Sequence, residues 1–165
     1  MRTTTSFANQ SGSQPGAPQD LAAAPGGFAR RFRAGDLETR AALAAVCERL
    51  AAAGLSEDDL SSAELVLAEA LNNIVEHAYA ETEGEVELHV NLHHNRLACL
   101  IRDHGRAMPE GRAPDPEPPH IEPPDLLPEG GFGWHIIRCL TTDLHYRRVG
   151  NWNELSFLMP LAELD

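Results

Sequence analysis

The chain has 165 residues, 42% of them hydrophobic and 23% charged, with a formal net charge of -12 at pH 7. That length supports one core of ordinary size and is short for two domains. The acidity argues against a nucleic-acid binder, whose affinity comes from lysine and arginine displacing counterions, but not against a small polyphosphate, which Mg2+, backbone N–H groups and a helix N-terminus can hold.

Residues 1–26 are rich in Ser, Thr, Gly, Pro and Gln and poor in bulky apolar side chains, so they bury too little to offset the entropy of ordering and predict a flexible tail. The remainder, 27–165, reads as one domain. "FARRFRA" (28–34) predicts a short strand, and Asp36 is placed as N-cap of a helix running to about Ala53, with Leu43, Val46, Cys47 and Leu50 inward and Gly54 as its stop. A stronger start follows: Ser56 as N-cap, Asp59 three residues on, and Leu55 set to staple against Leu60. This second helix is expected to run to about Tyr79. It carries Glu69, Asn73 and His77 at a spacing of four, a polar stripe along one side, while Leu67, Leu71, Ile74, Val75 and Ala78 supply an apolar face. Such a stripe is either a solvated face or a site.

"EVELHVNLH" (85–93) and "RLACLIRD" (96–103) alternate as strands and read as a hairpin across a short His-Asn turn. Leu97, Cys99, Ile101 and Asp103 share one face, so a carboxylate ends a row that otherwise points into the core. There, beside Gly105, Asp103 either accepts from an exocyclic amine such as adenine's or caps its own turn. His89 and His93 share the other face without a third ligand at helpful spacing, and read as surface histidines rather than a metal site. The prolines of 107–130 forbid regular helix or central strand, and a loop of that length is a lid or disordered. "GGFG" (130–133) then precedes a helix from Trp134 to about Leu140 and offers close backbone approach to phosphate, although neither a P-loop nor a Rossmann fingerprint fits. A second hairpin, "DLHYRRV" and "WNELSFLM", turns at Gly150-Asn151. Cys47, Cys99 and Cys139 are odd in number and far apart, which suits a reducing compartment, each packing as a small hydrophobe. With no apolar leader and no run long enough to span a bilayer, the expectation is a cytoplasmic protein with no membrane partner. No Ser-His-Asp or Cys-His arrangement supports nucleophilic hydrolysis.

Taken in order, "EALNNIVEHAY", "IRDHGRAMP" and "PEGGFGWHII" resemble the N, G1 and G2 boxes of the GHKL (histidine-kinase-like ATPase) superfamily. The lead-in "LSEDDLSSAELVLAEALNN", the lid exit "PPDLLPEGGFGWHIIR" and the final "GNWNELSF" are most similar to the bacterial anti-sigma factor serine/threonine-protein kinases, over roughly residues 28 to 160. The resemblance implies an α/β (α+β) two-layer sandwich, a mainly antiparallel sheet with helices on one face, nucleotide between them, and an ATP lid at about 107–130. It implies ATP and Mg2+ as cofactors. Glu69 would be the general base, Asn73 the Mg2+ ligand and Asp103 the contact to the adenine amine. Gly105 would shape the adenine pocket, Gly131 and Gly133 would hold phosphates, and Ser156 would help read adenine. Base and metal ligand one helical turn apart suit a hydroxyl that must be deprotonated beside the phosphates.

By the same resemblance the protein phosphorylates a Ser or Thr of an anti-sigma factor antagonist, binds a sigma factor, and forms a homodimer. A non-catalytic, nucleotide-switched sigma-factor-binding module is the alternative. A detached histidine-kinase ATPase module is a third reading, which no phosphoacceptor helix pair supports. Two positions depart from the pattern: Ala107 stands where the G1 box has a second glycine, and Trp134 where leucine is common. Both bear on turnover more than on binding.

Overall fold

The structure, a computed structural model, describes residues 27–116 and 132–162. The expected tail, Gly131 and most of the proline-rich loop lie outside the described residues. Five strands, β1 (Gly27–Arg33), β2 (Glu85–His93), β3 (Arg96–Asp103), β4 (Thr142–Val149) and β5 (Trp152–Pro160), form one antiparallel sheet in the order β1-β2-β3-β5-β4. Among the described residues three helices accompany the sheet: α1 (Asp36–Ala52), α2 (Glu57–Asn73) and α3 (Phe132–Leu140). The architecture is the α+β sandwich expected from the sequence.

The two-residue period of the strands sorts the sheet into unlike faces. Val86, Leu88 and Val90, Leu97, Cys99 and Ile101, and Leu155, Phe157 and Met159 are buried on one face. There they meet Val46 and Leu50 of α1, Val66, Leu67 and Leu71 of α2, and Ile137 of α3. The other face carries a row of charge across all five strands: Arg31, Glu87, Arg102, Glu154 and Arg147. Ion pairs join each to the next, with Arg102 at 3.0 Å from Glu87 and 3.1 Å from Glu154.

The Ser56 cap is as expected: its Oγ accepts from the Asp59 N–H at 3.1 Å and donates to the Asp59 carboxylate at 2.8 Å. Asp36 is not a cap. It is the first residue of α1, behind Gly35, and its charge lies at the positive end of the helix dipole. The inward face of α1 also shifts, to Thr39, Ala42, Val46 and Leu50, with Leu43 and Cys47 only partly buried. The long helix does not reach Tyr79 in one register. After Asn73 it widens into a π-helical turn, Ile74–Ala78, closed by the Tyr79 N–H on the Ile74 carbonyl at 3.0 Å. Pro109–Gly111 adds a short 3₁₀ turn at the head of the proline-rich loop, starting on a proline as such turns allow.

Candidate functional site

Glu69 and Asn73 stand one turn apart on α2, both half-buried. The first turn of α3 lies directly on them. A Cβ added at Gly133 would fall 2.6 Å from Glu69 Oε2 and 3.7 Å from Asn73 Nδ2, so only glycine lets the two helices meet here without displacing the carboxylate. The amide nitrogen of Asn73 is buried with no hydrogen-bond partner among the described residues. A buried polar group left unpaired is costly, and a functional ligand is one of the few reasons to keep it. Since the two ends of an asparagine amide occupy nearly equivalent positions, this side chain turned over offers its oxygen to a cation. The donor set therefore fits a Mg2+-bound phosphate.

Asp103 ends the core-facing row of β3 and is 4% exposed. Its Oδ1 accepts from the Gly105 N–H at 2.8 Å and from Asn153 Nδ2 at 2.7 Å. Oδ2 takes no hydrogen bond among the described residues and is left for a donor from outside. Burial pushes the Asp103 carboxyl above the ordinary carboxylate value. The bonds from Asn153 and Gly105 and the charges of Arg148 and His104 pull the other way without cancelling it.

The turn after Asp103 is clamped to the end of the helical segment that carries Asn73. The Arg106 N–H donates to the Ala78 carbonyl at 2.8 Å, and a Cβ on Gly105 would lie 2.6 Å from that same oxygen, which reserves the position for glycine. Tyr79 completes the clamp, its hydroxyl donating to the Glu85 carbonyl at 2.7 Å and accepting from the His104 N–H at 2.8 Å. The widened turn at 74–78 is thus the joint through which helix and strand hold their polar groups in one arrangement, a frequent use of π-helical turns. His104 in turn stacks on Trp152, ring centroids 3.4 Å apart, with the Arg102 guanidinium 4.1 Å above the same indole.

Residues 33–159 match the histidine kinase-like ATPase domain. The chain belongs to that family. It is 32% identical over 107 residues to the serine-protein kinase RsbW of Bacillus cereus (strain AH820), covering 64% of this chain and 65% of the relative. The RsbW of Bacillus anthracis (strain A0248) matches at the same identity and coverage, and that of Bacillus cereus (strain Q1) at 31%. The chain thus spans just under two thirds of the length of these relatives.

In this histidine kinase-like domain, the structure brings together most of the candidates named from sequence, with exceptions. Glu69, Asn73 and Gly133 meet, and Asp103 and Gly105 form one turn. Gly131 lies outside the described residues. Ser156 is not brought to Asp103. It pairs with Leu100 and His145 in the sheet, on the face away from the helices, because it lies an odd number of positions from the core-facing Asn153 and Leu155. Asn153, which sequence reading missed, is the residue opposite Asp103 in the β3–β5 register. Its signal existed only jointly, in the pairing of two strands 50 residues apart.

His77 is exposed, and among the described residues no hydrogen bond or ion pair ties it to Glu69 or Asn73, so the predicted stripe reduces to two members. Of the three cysteines only Cys99 is a fully buried hydrophobe; Cys139 is exposed, its Sγ 3.5 Å from His135 Nε2. Among the described residues no cluster of three metal-ligating side chains occurs and no helix is long and apolar enough to cross a membrane.

Proposed function

We propose that this histidine kinase-like ATPase binds Mg-ATP between α2 and the sheet and transfers the γ-phosphoryl group to a Ser or Thr hydroxyl of an anti-sigma factor antagonist. It thereby governs how much sigma factor is free. The observation that carries this reading is the Asn73 amide, buried beside Glu69 with no hydrogen-bond partner among the described residues, under Gly133, whose lack of a side chain leaves the Glu69 carboxylate in place. The similarity to proteins named serine-protein kinases supports the choice of acceptor.

Asp103 Oδ2 accepts the exocyclic amine of adenine, and Gly105 gives the ring room against the Ala78 backbone. Asn73 would hold Mg2+, which when bound offsets charge on the phosphate oxygens. Gly133, with Gly131, gives the phosphates close access to backbone at the start of α3, where the helix dipole favours anions. Glu69 takes the hydroxyl proton as the new O–P bond forms and the bond from the γ-phosphorus to ADP breaks. Residues 107–130 act as the lid, residues 27–165 as the single domain, and the protein works in the cytoplasm as a homodimer.

Substituting Glu69→Gln removes the proton acceptor and keeps the shape of the helix face. Mg-ATP affinity, read by calorimetry, should stay near the parent's, while transfer of radiolabel to the co-purified antagonist should fall by about 10²- to 10⁴-fold, the usual worth of a general base. Equal transfer by parent and variant would remove Glu69 from the role. A parent that binds nucleotide and a sigma factor but labels no associated protein would instead make it a nucleotide-switched binding module.

A further inference from the structure

α3 rests on the core along one narrow stripe. Trp134, Ile137 and Leu140 follow one another at every third residue, and of the three only Ile137 is fully enclosed, while Trp134 and Leu140 pack on the core in part. A helix held along a single line of contact resists translation better than roll. Arg138 stands about 100° round from Ile137, off that stripe. Its Nε donates to the Pro114 carbonyl at 2.7 Å and its Nη2 to the Ala113 carbonyl at 3.0 Å, so one planar guanidinium meets two consecutive carbonyls. The segment it grips is itself fixed, because Ala113 is buried in the core and, before it, the Met108 N–H donates to the Tyr146 hydroxyl at 3.0 Å. The Asp115 carboxylate, 3.3 Å from the same Nε, is 76% exposed and adds little. On the other flank the residue facing Glu69 is Gly133, which has no side chain to key the two helices together.

Gly133 and Arg138 fall about 140° apart around the axis, so α3 is gripped on one side and meets Glu69 on the other. With the Cα atoms about 2.3 Å from the axis, a roll of about 25° moves Gly133 by about 1 Å. A Cβ at this position would fall 2.6 Å from Glu69 Oε2, so one sense of roll pushes the carboxylate aside and the other removes the surface it lies against. We propose that Arg138 is a positioning residue for phosphotransfer: by binding the Ala113 and Pro114 carbonyls it fixes the roll of α3 and, through Gly133, the aim of the Glu69 carboxylate. This rests on the reading of Glu69 as the general base.

The test is a cycle of four proteins, the parent, Arg138→Met, Glu69→Gln and the two changes together, compared in transfer of radiolabel from saturating Mg-ATP to the co-purified antagonist. Arg138→Met should slow the parent by about tenfold or more, as expected when a catalytic group is displaced by about 1 Å. In the Glu69→Gln protein the same change should cost about twofold or less, because the group whose aim it spoils is already gone. A general weakening of the fold would multiply the two losses instead. Losses that multiply, or an Arg138→Met that transfers as fast as the parent, overturn the positioning role while leaving Glu69 as the base. A parent that labels nothing, or a Glu69→Gln that labels as fast as the parent, overturns the reading of Glu69 and the proposal with it, and these two rates alone tell that failure from the first. Arg138→Lys keeps the charge but reaches one carbonyl at a time, so it should lose rate in the same direction, and it carries the cycle should Arg138→Met fold poorly.

Discussion

Asp103 and Glu69 are both carboxylates on the helix side of the sheet, and their settings set them apart. Glu69 is half-buried on a helix surface, whereas Asp103 is enclosed and held above the ordinary carboxylate value by burial. A raised value means that the folded chain disfavours the charge. Asp103 therefore contributes stability that is present below the ordinary carboxylate range and is lost as pH rises through its raised value. Asp103→Asn keeps an oxygen for the Gly105 and Asn153 donors and removes that cost. Its melting temperature at neutral pH should be no lower than the parent's, while ATP affinity should drop by about tenfold or more, because the amine then meets a group that does not reliably accept. A calorimetric titration beside a thermal melt checks both halves, and a variant that melts lower yet binds ATP as well as the parent would remove Asp103 from the purine pocket. Spacing and the family resemblance pointed to Glu69, Asn73, Asp103 and Gly133, and the structure brings Glu69, Asn73 and Gly133 together; the role of Asn153 beside Asp103 was not legible in that way. A partner across a sheet is set by register, and register depends on both strands at once, as with Asn153 opposite Asp103.

At the scale of elements, the periodic parts of the fold could be read directly: both hairpins, the Ser56 start and the apolar stripe of α2 follow the rules for their periods. The widened turn at 74–78 could not, since a π-helical turn keeps helical composition and adds only one residue to one ring. The start of α3 was misplaced for a related reason. Glycines count against helix in propensity, yet α3 is helical from Phe132, two residues before the expected start, and Gly133 lies inside it beside Glu69. Gly133→Ala should accordingly be favourable for the helix by about 1 kcal/mol in isolation and still harm the site. The methyl group would push the Glu69 carboxylate aside, so phosphotransfer should fall at least tenfold, on the order of the penalty for misplacing a catalytic group, with thermal stability little changed. Unaltered transfer by Gly133→Ala, measured with the labelled antagonist, would show that α3 stands clear of Glu69 during turnover.

Over the whole molecule, the two faces of the sheet answer acid in opposite senses. Glu87 lies in the charged row of the outer face and is 9% exposed. Burial alone would raise its carboxyl, but Arg31 and Arg102 on either side hold it below the ordinary value. The stability this contributes is present above the ordinary carboxylate range and is lost as pH falls through the lowered value, opposite in sign to Asp103. The unfolding free energy of the parent should therefore decline on acidification, and Glu87→Gln should flatten that decline while starting from a lower value at neutral pH. Denaturant titrations at a series of pH values test this, and parallel curves for the two proteins would place the acid sensitivity elsewhere. Such a row escapes a one-dimensional reading, since its five members come from five strands and alternate in sign only after the sheet is assembled.

The stack of His104 on Trp152 has an optical consequence. Indole emission responds to a histidine or a guanidinium against the ring, and here both bracket Trp152 while His104 is the immediate neighbour of Asp103. Any shift of the turn proposed to receive a purine is transmitted to a fluorophore the chain already possesses. The other tryptophan, Trp134, rides on α3 beside Gly133. On the proposed reading the molecule bears one intrinsic dye near the purine and one near the phosphates, and replacing either with phenylalanine leaves the other to report base and phosphate engagement separately, in real time and without a label.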